Sequence, residues 1–304
     1  MKKAKLLILG LALLVLSSCS FPGLSSNDNE DTVAITGGVT TEAQILGGIV
    51  AEMVEHYTDL NATVINNLAT TTINHQAMMN GNASISAARY TGTDVTATLG
   101  LPAENDPDKA FEIVSDEFQK RYQQTWFPSY GFDNTYVFLV SRETAEQYNL
   151  TKVSDLKDVA GELSAGVDTA WITREGDGYE GFKEMYGFAF SSILPMQIGL
   201  VYDAVEAGRM DIVLGYSTDG RIASYDLVML EDDLHFFPPY DAASVATDEV
   251  LKQNPELREI LNKLGGTIDT EQMQKLNYRA DNDLVEPSVV AKEFLEEHNY
   301  FEGK

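Results

Sequence analysis

The sequence predicts an α/β fold built as two similar lobes. Three observations carry this. Short apolar runs alternate with segments of helical periodicity along the body of the chain. The composition, 44% hydrophobic and 22% charged, is that of a globular protein. One stretch also echoes another. Ala77-Met78-Met79-Asn80-Gly81 leads through Ile85 to Arg89-Tyr90-Thr91-Gly92-Thr93, and Ala204-Val205-Glu206-Ala207-Gly208 leads through Ile212 to Gly215-Tyr216-Ser217-Thr218-Asp219. Each copy reads as helix, glycine stop, strand, then Tyr and a hydroxyl residue at the strand's C-terminal end. Ligands of open α/β sheets bind just beyond such ends. A length of 304 residues suits two domains of ordinary size.

The elements follow in order. Val33–Thr36 reads as a strand, and residues 42–57 as a helix with Ile45, Ile49, Val50, Met53 and Val54 on one stripe. Ala62–Ile65 is a second strand. A helix follows to about Asn80, where Gly81 ends it. Asp106-Pro107 supplies an N-cap and a proline at N1 for a helix to Tyr122. Thr135–Val140 is a strand, Met196–Ala207 a helix stopped by Gly208, and Met210–Gly215 a strand. Pro255–Leu264, Glu271–Leu276 and Ser288–Glu297 are helical. Alternation of this kind predicts mostly parallel sheets.

The N-terminus is a different kind of segment. Lys2, Lys3 and Lys5 precede an apolar run from Leu6 to Leu16, too short to span a bilayer as a helix. Residues 1–18 read as a secretory leader. Leu16-Ser17-Ser18-Cys19 follows, with the only cysteine of the chain at its boundary. It resembles a bacterial lipoprotein box, in which cleavage leaves Cys19 first and its thiol is lipidated. Residues 19–31, rich in Ser, Asn, Asp and Gly, read as a flexible tether. The expected location is therefore extracytoplasmic, with the membrane touched only through the lipid.

Charge and motifs exclude several function classes. Lys and Arg number 21 against 47 Asp and Glu, a net charge of −26. Nucleic acid is a poor partner for such a chain, because phosphate contact needs clustered Lys and Arg. One cysteine excludes an internal disulfide and any multi-Cys metal site. His56, His75, His235 and His298 form no metal-binding pair: His75 reads as packing, His56 and His298 as solvated. There is no phosphate loop and no nucleophile elbow. Glu231-Asp232-Asp233 and Asp281-Asn282-Asp283 lack the spacing of a calcium loop. No catalytic residue, metal or cofactor is expected, and the chain does not read as an enzyme.

Four of the fourteen tyrosines stand at sheet exits. Tyr90 begins Tyr-Thr-Gly-Thr, and Tyr136 ends Tyr130-Gly-Phe-Asp-Asn134-Thr-Tyr136. Tyr216 begins Tyr-Ser-Thr-Asp-Gly-Arg221, and Tyr240 ends Phe236-Phe-Pro-Pro-Tyr240. Their neighbours are the residues of turns. Aromatic faces around a cleft suit a quaternary ammonium, which has no N–H to donate and spreads its charge over methyl groups. Each ring contributes roughly 0.5–2 kcal/mol. Four rings then give on the order of 2–8 kcal/mol, against about 8 kcal/mol for a micromolar complex before association costs.

At these motifs the sequence resembles the substrate-binding lipoproteins of ABC importers for osmoprotectants: glycine betaine, carnitine, choline and related quaternary amines. The matching stretches are Thr41-Glu42 with Ile45-Leu46, Arg89-Tyr-Thr-Gly-Thr93, Tyr130 to Tyr136, Gly215-Tyr-Ser-Thr-Asp-Gly-Arg221 and Phe236 to Asp241. The resemblance covers about residues 33–300. It implies the type II periplasmic-binding-protein fold, two α/β lobes joined by two crossovers and closing as a hinge. Lobe I would hold residues 32–137 and 241–304, and lobe II residues 138–240. The implied aromatic cage is Tyr90, Tyr136, Tyr216 and Tyr240. Thr93 matches a hydroxyl at the ligand's other end, and Asn134 a polar residue of the pocket wall. Arg174, in Thr173-Arg-Glu-Gly-Asp-Gly178, matches an arginine that holds a betaine carboxylate, for which a planar guanidinium is apt. The implied partners are a small quaternary amine and an ABC permease.

One departure from the family bears on specificity. Relatives often carry Lys or Gln just before Thr40-Thr41-Glu42, where this chain has Gly37-Gly38-Val39. Two glycines there imply a lost polar contact, or one replaced by Gln44 or backbone N–H groups, and room for a bulkier ligand. Two other readings stand beside the first. An amino-acid or polyamine binding protein shares the fold, and a polyamine would need acids among the rings, with Asp219 and Asp241 the candidates. A tethered sensor would use the acidic surface as a docking face.

Overall fold

The computed structural model describes residues 31–302 apart from Glu175. The expected leader, Cys19 and the tether up to residue 30 lie outside the described residues. Among the described residues no helix is long and apolar enough to cross a membrane.

Among the described residues, ten strands form two sheets. They are β1 (Thr32–Thr36), β2 (Asn61–Ile65), β3 (Ile85–Tyr90), β4 (Gln124–Trp126), β5 (Tyr136–Ser141), β6 (Ser164–Asp168), β7 (Ser192–Met196), β8 (Ile212–Tyr216), β9 (Leu227–Leu230) and β10 (Ala242–Thr247). One sheet has the order β2-β1-β3-β10-β4, the other β7-β6-β8-β5-β9. The two orders correspond strand for strand. β3 and β8, the strands of the sequence echo, hold the same central place.

The expected predominance of parallel pairing does not hold. β1 pairs in parallel with β2 and β3, and β6 with β7 and β8. β10 and β5, however, run antiparallel to both of their neighbours. The reason is topological. Each enters its sheet from the other one, β5 through residues 127–135 and β10 through 231–241. β5 belongs to the second sheet from Tyr136 onward, so this crossover ends before residue 137.

Local chemistry explains most helices. Thr40 caps Thr41–Tyr57 by accepting from the Ala43 N–H at 3.3 Å. Asp106 caps Pro107–Tyr122 through the Lys109 N–H, with proline in the first turn. Gly81 and Gly208 follow helices Thr71–Met79 and Ile198–Glu206 with φ of 71° and 63°, a conformation that glycine adopts without a Cβ clash. Met196, expected to open a helix, ends β7 instead. The C-terminal helices are Leu257–Asn262, Thr270–Asp281 and Pro287–Glu297.

Each sheet has its own core. Ile45, Leu46, Ile49, Val50 and Met53 of helix Thr41–Tyr57 pack with Phe294 and Leu295 of helix Pro287–Glu297 over one face of the first sheet. Val95, Val114, Phe118 and Trp126 form a second cluster with Ala34, Ala243 and Val245. Phe138, Val167, Trp171, Phe182 and Leu214 form the core of the second sheet. His75 packs against Tyr122 and Phe118 with ring centroids 4.4 and 5.6 Å apart. Burial, and then Arg89, hold its pKa down at about 4. His56, read as solvated, instead packs against the Phe301 ring, with centroids 4.6 Å apart and the planes tilted by 37°.

The loop after β3 lies against the second crossover. The Thr91 and Gly92 N–H groups donate to Asp241 and Pro239 carbonyls at 3.2 and 3.0 Å. A Cβ on Gly92 would stand 2.5 Å from the Pro239 oxygen, a backbone atom that cannot swing away. Gly92→Ala should therefore cost about 1–3 kcal/mol in a urea titration. Gly199→Ala, with nothing within 4 Å of the new methyl, should be neutral or stabilise by up to about 1 kcal/mol. Equal effects would contradict this account of the crossing.

Candidate ligand site

The four tyrosines meet because of the two crossovers. Tyr90 ends β3 and pairs with Ala242, so Tyr240 lies just outside the start of β10. Tyr136 opens β5 directly opposite Tyr216, the last residue of β8. The pair has ring centroids 5.1 Å apart. Each sheet thus presents one tyrosine at a strand end and one where a crossover arrives.

The crossovers bind each other between these rings. Asn134 N–H donates to the Tyr240 carbonyl at 3.2 Å, and Tyr240 N–H to Asp133 Oδ1 at 2.6 Å. Ser217 Oγ donates to the Asp133 carbonyl at 2.7 Å and accepts from Thr135 N–H at 3.1 Å. The residue after Tyr216 is therefore what joins the second sheet's tyrosine pair to the crossing.

Tyr90, Thr93, Asn134, Tyr136, Arg174, Tyr216 and Tyr240 all line one cavity of about 460 Å³, and Thr40 and Thr96 complete its wall. Tyr136 is 5% exposed and Tyr216 37%, so one ring is set in the core and the other stands at the mouth. Gly215, next to Tyr216, makes room for Tyr202, since a Cβ there would meet the Tyr202 ring at 2.8 Å. A larger crevice of about 570 Å³ beside Gly220, Gln274 and Tyr278 holds none of the seven residues expected to contact a ligand.

The wall is electrically two-sided. Arg174 Nη1 donates to Asp177 at 3.1 Å and Nη2 to the Tyr136 hydroxyl at 3.3 Å, with the guanidinium 5.1 Å from the Tyr136 ring centroid. On the other side Glu42 Oε1 accepts from the Tyr90 hydroxyl at 2.6 Å and from Asn134 Nδ2 at 2.8 Å. Burial, and then Glu42, push the Tyr90 hydroxyl well above the usual tyrosine range. Burial also raises Tyr136 and Tyr240, opposed in both by Arg174. The raised hydroxyls of Tyr90, Tyr136 and Tyr240 keep these rings neutral at ordinary pH, the form whose faces attract a cation without a formal charge.

Sequence reasoning missed Glu42, Thr40 and Thr96. An acid in the first turn of a helix is the ordinary complement of its dipole, so Glu42 carries no local signal of a site role. The departure at Gly37-Gly38 works differently from the expectation. Neither glycine lines the cavity. Added Cβ atoms would meet Asn66 Oδ1 at 2.3 Å and Ala43 Cβ at 2.7 Å, so the two glycines serve close packing and open no room for a ligand. Gln44 is not a lining residue either; its Nε2 reaches the Gly38 carbonyl at 3.5 Å. The acids of the polyamine reading also lie off the wall, Asp219 paired with Arg221 at 2.9 Å and Asp241 bridged to Asp133. Among the described residues no group of three His, Cys, Asp or Glu is placed to hold a metal ion.

Residues 31–297 match the family described as the substrate binding domain of ABC-type glycine betaine transport systems. The chain belongs to this family. It is 55% identical to the carnitine transport binding protein OpuCC of Listeria monocytogenes over 291 residues, 96% of this chain and 94% of that one. It is 30% identical to a glycine-betaine-binding protein of Pseudomonas aeruginosa, with 88% of each chain covered. A crystal structure described as a glycine betaine/carnitine/choline ABC transporter matches it with a TM-score of 0.87 at 51% identity, over 89% of this chain and 100% of that one. The fold of this glycine betaine transport family member is the type II periplasmic-binding-protein fold. The family is one of extracytoplasmic transport components, which work with a small ligand and a permease.

In this family member the crossing carries a titratable group. Burial pushes the Asp133 carboxyl up to about 7; the Tyr240 N–H opposes the rise, and Asp241 and Glu42 add to it. The folded protein therefore holds this proton more tightly than the unfolded chain. Asp133 costs nothing at pH below about 4, and stability falls as pH rises from there through about 7. Asp133→Asn keeps an acceptor for Tyr240 and should become more stable than wild type by about 1–3 kcal/mol at pH 8, with no such gain at pH 4. Urea titrations at the two pH values check this, and a pH-independent difference would contradict it.

Proposed function

We propose that the protein captures quaternary ammonium osmoprotectants (glycine betaine, carnitine and choline) in its tyrosine cage and delivers them to the permease of an ABC importer. The observation that supports this best is the convergence of Tyr90, Tyr136, Tyr216 and Tyr240 on one cavity beside Arg174. The trimethylammonium group lies against the ring faces. Its methyl groups fill the space at van der Waals distance, and the lost hydration is offset by the rings' quadrupoles. A ligand carboxylate turns to Arg174, whose five N–H donors exceed those given to Asp177 and Tyr136. Thr93 supplies a hydroxyl and Asn134 an amide held in place by Glu42.

Residues 32–137 with 241–304, and residues 138–240, act as lobes that close over the ligand at the two crossovers. Closure brings Tyr216 and Arg174 to Tyr90 and Thr93, with Tyr136 and Tyr240 at the ends of the crossovers between them. Cleavage before Cys19 and lipidation of its thiol hold the body at the outer face of the cell membrane, within reach of the permease.

Calorimetric titration of residues 20–304 with each of the three ligands tests the reading. Saturable binding of at least one is expected, and no binding of any overturns it. Arg174→Ala should weaken glycine betaine and carnitine about tenfold or more while choline changes little, because choline has no carboxylate. Equal losses for all three would remove Arg174 from that role.

A further inference from the structure

Glu42 is only 4% exposed, and none of the ion pairs among the described residues involves it. Its donors are all neutral: Tyr90 and Asn134 on Oε1, and Asn277 Nδ2 on Oε2 at 3.3 Å. A carboxylate accepts only, and three donors suit it. A carboxylate buried without a counter-ion is nevertheless expensive unless a cation completes it. The one polar path from Glu42 to the cavity wall that carries an aromatic face is the Tyr90 hydroxyl.

On the opposite wall the equivalent charge is already matched. Tyr136 donates its hydroxyl to Asp168 Oδ2 at 3.2 Å, yet Arg174 sits at the same hydroxyl and over the same ring. No guanidinium or ammonium accompanies Tyr90 in this way among the described residues.

We propose that Glu42 is the counter-charge of the cage, a positioning residue that acts through Tyr90 by fixing its ring and pushing electron density onto the face a ligand cation meets. The inference rests on the proposed binding of quaternary ammonium ligands. A phenol that donates to a carboxylate becomes partly phenolate in character, and a more negative ring face attracts a cation more strongly. Glu42 thereby distinguishes a charged trimethylammonium head from a neutral group of the same shape. Asn277 ties the arrangement to the second lobe, since its Nδ2 also donates to the Thr218 carbonyl at 2.9 Å.

The test compares choline with its neutral tert-butyl isostere, in which carbon replaces the quaternary nitrogen. Both are titrated against wild type and Glu42→Gln, the isostere by displacement of choline. Glu42→Gln is expected to weaken choline about tenfold (1.4 kcal/mol) and to leave the isostere within about twofold. Loss of both to the same extent would assign Glu42 a purely structural role and overturn the proposal, as would loss of neither. Tyr90→Phe keeps the ring and breaks the link, so it should show the same cation-selective loss, and it carries the test if Glu42→Gln does not fold. Wild type that binds no quaternary ammonium overturns both the functional reading and this inference. Binding by wild type with equal losses in the variants overturns the inference alone.

Discussion

The structure depends on the crossing of two chain segments, residues 127–135 and 231–241. Both pass between the sheets at one place, and their hydrogen bonds run through Asp133, Asn134, Ser217 and Tyr240. Two of the four cage tyrosines are themselves on or beside these segments, and the other two end the strands that the segments pair with. The geometry of the cage is thus a property of the crossing more than of either sheet. It also explains why each sheet mixes parallel and antiparallel pairs: the incoming strand in each must arrive from the far side. Asp133 shows what the arrangement costs. A carboxyl placed here for its acceptor atoms has its pKa lifted by burial, a form of local strain kept where the geometry is needed.

The site's electrostatics follow from the same placement. Arg174 reaches the cavity from the second sheet's side and Glu42 lies behind the first, so a cation and a carboxyl group flank the cavity on opposite sides. A zwitterion meets both sides; a simple cation meets one. Of the rings between them, Tyr90 and Tyr136 turn their hydroxyls to carboxylates. On the proposed function, selectivity for a quaternary head has two sources, the shape of the aromatic box and the carboxylate behind it.

Much of this was legible in the sequence, for identifiable reasons. Tyr90 and Tyr216 stood out because a glycine stop, a short strand and a turn preceded or followed each, and both do end central strands. The helix from Pro107 was legible because Asp106 caps it locally, and the helix over 42–57 because its apolar residues fall on one stripe. Thr93, Asn134 and Arg174 came from the family resemblance, since nothing in their own surroundings distinguishes them from surface residues. What stayed hidden was non-local. The close approach of Gly92 to Pro239 joins residues far apart in the chain, and Gly37 and Gly38 look like vacant space until Asn66 and Ala43 are seen against them. The β7 strand escaped notice because its exposed pattern and Pro195 belong to a sheet edge. Glu42 was hidden most completely, because its helical position already explains an acid.

The most direct test of the account is a crystal structure with carnitine bound. The trimethylammonium group should touch the rings of Tyr90, Tyr136, Tyr216 and Tyr240 together, with the carboxylate on Arg174 or Thr93. A head group held outside the four rings, or by fewer than three of them, would contradict the account.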